Sequence, residues 1–167
     1  MILRFFILSC LSFFIMNSVI SQQMTADKLT SIIKQEADTL AINNNQIQFS
    51  INNGLLICIY DEKANRMRII SPIVKRAELT EDDLLNTLVA NFHSALDVKY
   101  ALSDEIIWSV YTHPLKELTE GQVVDAIQQV YAAAITFGET YSSTNLVFPG
   151  NTKRAIDSTK TRILKKL

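Results

Sequence analysis

The stretch Gln46–Ile70, QIQFSINNGLLICIYDEKANRMRII, decides how the rest of the chain must be arranged. Ile47, Phe49 and Ile51 alternate with Gln46, Gln48 and Ser50, the period-two pattern of a half-buried strand. Asn52-Asn53-Gly54 follows, and both residue types tolerate the positive φ of a tight turn. Leu55–Tyr60 is a continuous apolar run, as expected of a strand covered on both faces or lying mid-sheet. Asp61–Asn65 makes a second polar turn, and Arg66–Ile70 returns as a third strand. Such a meander is not stable alone; an apolar layer must lie on one of its faces.

The flanking chain supplies that layer. Thr25–Leu40 reads as a helix with Thr25 as its cap, Lys28 leaving the capping box half complete, and a stripe of Leu29, Ile32, Ile33 and Leu40. Asn43-Asn44-Asn45 ends it. After the meander, Pro72 is expected to stop regular pairing. Thr80 then caps a second helix whose first turn holds Glu81, Asp82 and Asp83. Consecutive carboxylates splay around a helix, so this triplet complements the helix dipole and does not converge on a metal. Leu84, Leu85, Leu88, Val89, Phe92 and Leu96 form the helix's apolar stripe.

Leu96, Val98, Tyr100 and Leu102 alternate with Asp97, Lys99 and Ala101, a strand turned back at Ser103-Asp104. The returning strand, Glu105–Tyr111, puts Ile106, Trp108 and Val110 on one face and Ile107, Ser109 and Tyr111 on the other, and His113-Pro114 ends it. Thr119–Phe137 is the best-marked helix: Thr119 and Gln122 form a capping box, Val123, Val124, Ile127, Val130, Tyr131, Ala134 and Ile135 recur at helical spacing, and Gly138 supplies the C-terminal cap. The predicted fold is α+β: a mostly antiparallel five-stranded sheet with three helices, in the order α-β-β-β-α-β-β-α. The apolar phases predict that Ile57, Ile59, Val98, Trp108, Val124, Ile127 and Tyr131 are mostly buried.

Three regions are expected. Residues 1–21 read as a signal peptide: Arg4 gives the positive start, Phe5–Met16 the apolar run, and Val19-Ile20-Ser21 the small residues before cleavage. The run is shorter than the ~20 residues of a spanning helix, and Asn17 and Ser18 interrupt it, so membrane attachment follows only if the leader stays uncleaved. The expected location is secreted or periplasmic. Residues 22–138 form a single domain, and 139–167 a basic, mobile tail. From Gln22 to Phe137 there are nine basic and fifteen acidic residues, a net −6, whereas Glu139–Leu167 carries six basic and two acidic residues, a net +4. Self-docking of that tail, or contact with an anionic surface, are the non-solvated readings. With the leader removed, Cys58 is alone, so no intrachain disulfide forms, and its place between Ile57 and Ile59 makes it a small buried hydrophobe.

The residues needed for chemistry are sparse. His93 and His113 are the two histidines, and no HExxH, paired-histidine or CxxC spacing occurs. GxSxG is absent, and the four glycines build no phosphate loop. No catalytic residue, cofactor or metal ligand is assigned, and an acidic domain argues against nucleic acid as a partner.

The element order, the meander and the junction His113-Pro114–Leu115–Leu118 leading into the last helix resemble the type III secretion chaperone-like fold, which includes the class I secretion chaperones and the YbjN-like proteins. The resemblance covers Thr25 to Gly138. It implies a small, acidic, often dimeric domain that binds segments of partner proteins without catalysis. Secretion chaperones work in the bacterial cytosol, whereas this chain carries an export signal, so what it implies here is an exported, chaperone-like binding module. A peptide or protein partner held on exposed sheet or helix surface is the leading expectation. A small-ligand or envelope-stress protein with a pocket between sheet and helices is the alternative. Leu84, Leu85, Leu88, Val89 and Phe92 are the candidate partner or dimer surface, because a helix stripe this apolar needs cover; a sheet edge within the chain or a second copy across a two-fold axis would provide it.

Overall fold

The computed structural model describes residues 23–143. Its elements are α1 (Ala26–Glu36), β1 (Thr39–Asn43), β2 (Gln46–Ile51), β3 (Gly54–Asp61), β4 (Arg66–Lys75), α2 (Glu81–His93), β5 (Lys99–Ser103), β6 (Ile106–His113) and α3 (Glu120–Ile135). The strands form one antiparallel sheet in the order β1-β2-β3-β4-β6-β5. The leader lies outside the described residues.

The α+β class and the three helices stand, but the sheet has six strands, not five. The extra strand comes from the end of the expected first helix. That helix stops at Glu36, and Ala37 is already extended. Thr39 to Asn43 then pairs with Ser50 to Gln46 around an Asn44 turn at φ 50°. Leu40 fits the helical stripe by spacing, but local side-chain bonds decide against a helix there. The Asp38 carboxylate accepts the Asn52 amide at 2.7 Å, and the Thr39 and Ser50 hydroxyls meet at 2.8 Å. These bonds hold the chain extended beside β2.

Pro72 does not end β4. The strand runs on to Lys75 against β6, with an irregular register between Pro72 and Val74. Pairing with β3 has finished at Ile70, so the missing Pro72 amide falls at a bulge where no ladder bond is lost. The turns are built as their residues require: Asn52 and Asn53 at φ 49° and 66°, and Asp104 and Glu105 at φ 50° and 60°. Gly54 has a different cause. A Cβ there would stand 2.8 Å from the ring of Tyr131, so α3 can approach the second turn only over a glycine.

One face of the sheet is covered. Ile47, Phe49, Leu56, Cys58, Met67 and Ile69 point into a core filled from above by Leu29, Ile32 and Ile33 of α1 and by Val123, Ala126, Ile127, Val130 and Ala133 of α3. Polar groups on this face bond to helix carbonyls: the Ser109 hydroxyl donates to Val130 at 2.9 Å and the Tyr100 hydroxyl to Ala133 at 2.9 Å. Burial pushes the Tyr100 hydroxyl pKa well up, and the Cys58 thiol up to about 12. α3 carries the expected capping box of Thr119 and Gln122, and α2 carries one of Thr80 and Asp83. Leu115 and Leu118 of the junction are both buried.

The packed body runs past the expected boundary at Gly138. Gly138 turns the chain at φ 83°, and Tyr141 and Ser143 are buried against the end of α2. The Ser94 hydroxyl donates to the Tyr141 carbonyl at 2.7 Å, and the Ser143 amide to the Ser94 carbonyl at 3.2 Å. Tyr141 also meets the rings of Tyr100 and Phe137 edge-on. Residues 144–167, with the rest of the expected tail, lie outside the described residues.

Candidate binding surface

The second face of the sheet has neither α1 nor α3 on it. The register places Leu55, Ile57, Ile59 and Asp61 of β3 beside Ile70, Arg68 and Arg66 of β4, and Val110, Trp108 and Thr112 of β6 next to those. Row by row, Gln48, Ile57, Ile70, Val110 and Lys99 run across five strands, and Gln46, Ile59, Arg68 and Thr112 run beside them. Leu55 is 47% exposed and Ile59 42%, while Ile57, Ile70, Trp108 and Val110 are half-buried by one another. An apolar centre is thus edged by amides and hydroxyls on the β1–β2 side. At the end near the β3–β4 turn it is edged by the guanidinium groups of Arg66 and Arg68. A groove of about 430 Å³ sits there, lined by Ile59, Asp61, Arg66, Arg68 and Thr112 among others.

This arrangement corrects the predicted core. Val98 and Ile127 are buried, as read. Ile59 is exposed, and Ile57, Trp108, Val124 and Tyr131 are half-buried. On β3 and β6 the two-face alternation holds, but the helices cover the other phase. On β6 they sit over Ile107, Ser109 and Tyr111, the less apolar set, and leave Ile106, Trp108 and Val110 open. The signal for this surface was present in the two apolar faces of β3 and β6, since a sheet with helices on one side needs only one.

The five residues of the α2 stripe do not share one environment. Val89 is buried, Leu84 and Leu85 are half-buried, and Leu88 and Phe92 are 66% and 86% exposed. Val89 therefore leaves the candidate surface for the core. α2 lies along the outer edge of β5, where the Asn91 side chain acts as a missing strand: its amide donates to the Tyr100 carbonyl at 3.1 Å and its oxygen accepts the Tyr100 amide at 2.7 Å. Nothing in the helical spacing singled out Asn91, because the bond depends on which edge the helix meets.

His93 is half-buried against Phe92, with ring centroids 4.9 Å apart, and His113 stacks on Tyr111 and reaches the Pro114 carbonyl at 2.8 Å. Tyr111, His113, Asp97, Lys99 and Gln122 line a second groove, of about 520 Å³, where the start of α3 meets β6. Burial first, then the carboxylates of Asp97 and Asp125, push the Tyr111 hydroxyl pKa up. Among the described residues no group of three or more His, Cys, Asp or Glu could hold a metal ion, and no helix is long and apolar enough to cross a membrane.

No family model and no curated protein matches the chain. Solved structures do. A chain of the HopA1–SchA chaperone–effector complex matches with a TM-score of 0.51 at 14% identity, covering 66% of this chain and 90% of its own. A chain of the complex of the Yersinia pestis type III secretion chaperone SycH with a stable fragment of YscM2 matches with a TM-score of 0.50 at 12% identity, covering 66% and 96%. A chain of the ExsC–ExsE complex matches with a TM-score of 0.53 at 10% identity, covering 66% and 91%. At such identities the likeness speaks to architecture, and by architecture this chain has the type III secretion chaperone-like fold.

Proposed function

We propose that the protein is an exported, non-enzymatic binding module that holds a segment of a peptide or protein partner on the open face of its sheet. The observation that carries this reading is the side of β3 and β6 left bare: Leu55, Ile59, Trp108 and Val110 face away from both covering helices. An apolar patch of this kind, rimmed by polar groups, marks an interaction site more often than a plain surface. The similar structures are complexes of chaperones with partner proteins, which supports a protein segment as the occupant. The leader sequence, Arg4 followed by Phe5–Met16, supports export. Arg66 and Arg68 favour partners whose apolar residues are followed by carboxylates.

Trp108 reports directly on this face, being the single tryptophan of the chain. Binding of an extended apolar, acid-flanked peptide should shift its emission, and Ile59→Glu should abolish both the shift and recovery of the natural partner while lowering the melting temperature by only a few degrees, the protein staying folded. A partner bound equally well by Ile59→Glu would place binding elsewhere. The second groove favours a small-ligand reading through its convergent Asp97, Tyr111, His113 and Gln122. A rise in melting temperature with one metabolite, lost in Tyr111→Phe and kept in Ile59→Glu, would select it.

A further inference from the structure

The two edges of the sheet are finished differently. β5 ends one side, and there α2 lies along it with the Asn91 side chain bonded to both backbone groups of Tyr100. β1 ends the other side and pairs with β2 alone among the strands. Its residues, Thr39-Leu40-Ala41-Ile42-Asn43, are exposed except for half-buried Leu40. An unpaired edge is a template for another strand, and proteins guard such edges with charge, proline or a covering element. Along these residues β1 carries neither charge nor proline.

The direction of its free groups follows from the hairpin. Along a strand, the N–H and C=O of one residue point to one side and those of the next residue to the other. The Ser50 carbonyl accepts the Asp38 amide at 2.9 Å, so Ser50, Gln48 and Gln46 turn their backbone groups toward β1. Thr39, Ala41 and Asn43 answer them in the register. Leu40 and Ile42 therefore turn theirs outward, and among the described residues no group takes them.

These groups are complementary to a second copy of themselves. When two β1 strands run antiparallel about a two-fold axis through Ala41, Leu40 faces Ile42 of the second copy, and each such pair exchanges both of its bonds. Every outward donor and acceptor of both strands is then used. Centring on Leu40 would instead set Ile42 against Asp38, whose amide is already bonded to Ser50. Centring on Ile42 would set Leu40 against the turn at Asn44. The side chains suit the Ala41 register. Ala41 meets its own copy at a non-hydrogen-bonded position, where Cα atoms approach to about 4.5 Å and a small side chain fits. Leu40 and Ile42 lie on the helix-bearing face beside Phe49 and Ile47, and Ile42 is 53% exposed there, so pairing them continues the apolar layer. Thr39 falls opposite Asn43 and Asp38 opposite Asn44, so no like charges meet.

We propose that β1 is a self-pairing edge, through which two copies of the chain join their sheets by an antiparallel β1–β1 ladder. The axis stands perpendicular to the sheet, so both open faces look the same way, with the two β3 strands about 24 Å apart. So short a ladder is small beside a standard interface, which makes the dimer weak and dependent on concentration. The pairing engages neither the open face nor α2 and does not depend on the binding reading.

Cysteine cross-linking reads the register, in the full chain with Cys10→Ser; Cys58 stays, since it is buried. Ala41→Cys should form an interchain disulfide under mild oxidation, because the Cα separation at that pair is within disulfide reach. Thr39→Cys and Asn43→Cys each stand about 13 Å from their own copy, so each alone should link at least about tenfold more slowly, whereas the two mixed should link readily. Ile42→Lys places a charge on the exposed edge and should lower the Ala41→Cys rate at least about tenfold, with a melting curve that still reports folded protein. Equal rates at positions 39, 41 and 43 would mean chance collision or association through another surface, and would overturn the proposal. Folded Ala41→Cys that stays unlinked at about 0.5 mM, far into the range of weak interfaces, would overturn it too, as would linking that Ile42→Lys leaves unchanged.

Discussion

Leu56 and Ile59 stand three residues apart on β3 and point to opposite faces, so the same substitution at each measures which face is covered. Leu56 is fully buried beneath the helices, and Leu56→Ala should cost about 2–5 kcal/mol through lost transfer energy and the cavity left behind. Ile59 is 42% exposed on the open face. Removing its three outer carbons would cost about 2.4 kcal/mol under full cover, at ~0.8 kcal/mol per methylene. With a little over half the side chain covered, and neighbours free to close around the gap, Ile59→Ala should cost about 1 kcal/mol. Urea unfolding of both variants should thus show a gap of about 2 kcal/mol with unchanged slopes. In melting temperature Leu56→Ala should fall by on the order of 10 °C and Ile59→Ala by a few degrees. If Ile59→Ala proved as costly as Leu56→Ala, the face would be covered by chain or by a second copy, and the binding surface argued above would not be free. A cost that grows with protein concentration would identify the second copy.

Three further outcomes follow from particular contacts. Gly54→Ala should destabilise by about 1–3 kcal/mol, since its Cβ meets the Tyr131 ring at 2.8 Å, and Tyr131→Leu should recover most of the loss in a double-mutant cycle followed by urea unfolding. Cys58 should resist iodoacetamide at pH 8 in the native protein and react on unfolding; because its pKa is raised on folding, it contributes stability present below the unfolded thiol range and lost as pH rises from there toward 12, which thermal melts between pH 8 and 11 would register. Asp83 and Glu117 are held below the usual carboxylate range, by the Thr80 hydroxyl and amide and by the Asn65 side-chain amide respectively, so each contributes stability present above the ordinary carboxylate pKa and lost as pH falls through its lowered value; melts from pH 6 to 2 should show a shallower acid limb in Asp83→Asn than in the parent.

Most of the element order was legible because it rests on short-range signals. The capping residues Thr80 and Thr119, the Asn-rich turns and the alternation in β2 each specify local geometry with few competitors. β1 was not legible for the opposite reason. Leu40 fits a helical stripe as well as a strand, and what decides is the Asp38 to Asn52 bond, made across fourteen residues by a turn that must form first. Pro72 misled similarly: proline stops a ladder only where its amide would have been used, and that depends on where the neighbouring strand ends.

The same limit explains the site. Alternation in a strand assigns residues to two faces but carries no label for the face that will receive helices. In β6 hydrophobicity favours Ile106, Trp108 and Val110, whereas the helices took Ile107, Ser109 and Tyr111. Close approach gives a reason. Small Ser109 lets α3 come near enough for its hydroxyl to reach the Val130 carbonyl, and Tyr100 on the neighbouring strand spans to Ala133 from the same face. Trp108 in the Ser109 position would hold the helix off and leave both carbonyls without these donors. Packing distance thus outweighs side-chain apolarity in choosing the covered face, and the more apolar set is left outside. In a domain whose fold needs only one apolar face, side chains such as Ile59, Trp108 and Val110 on the other are not required by the helix-covered core, and the proposed contact with a partner segment would give them a role.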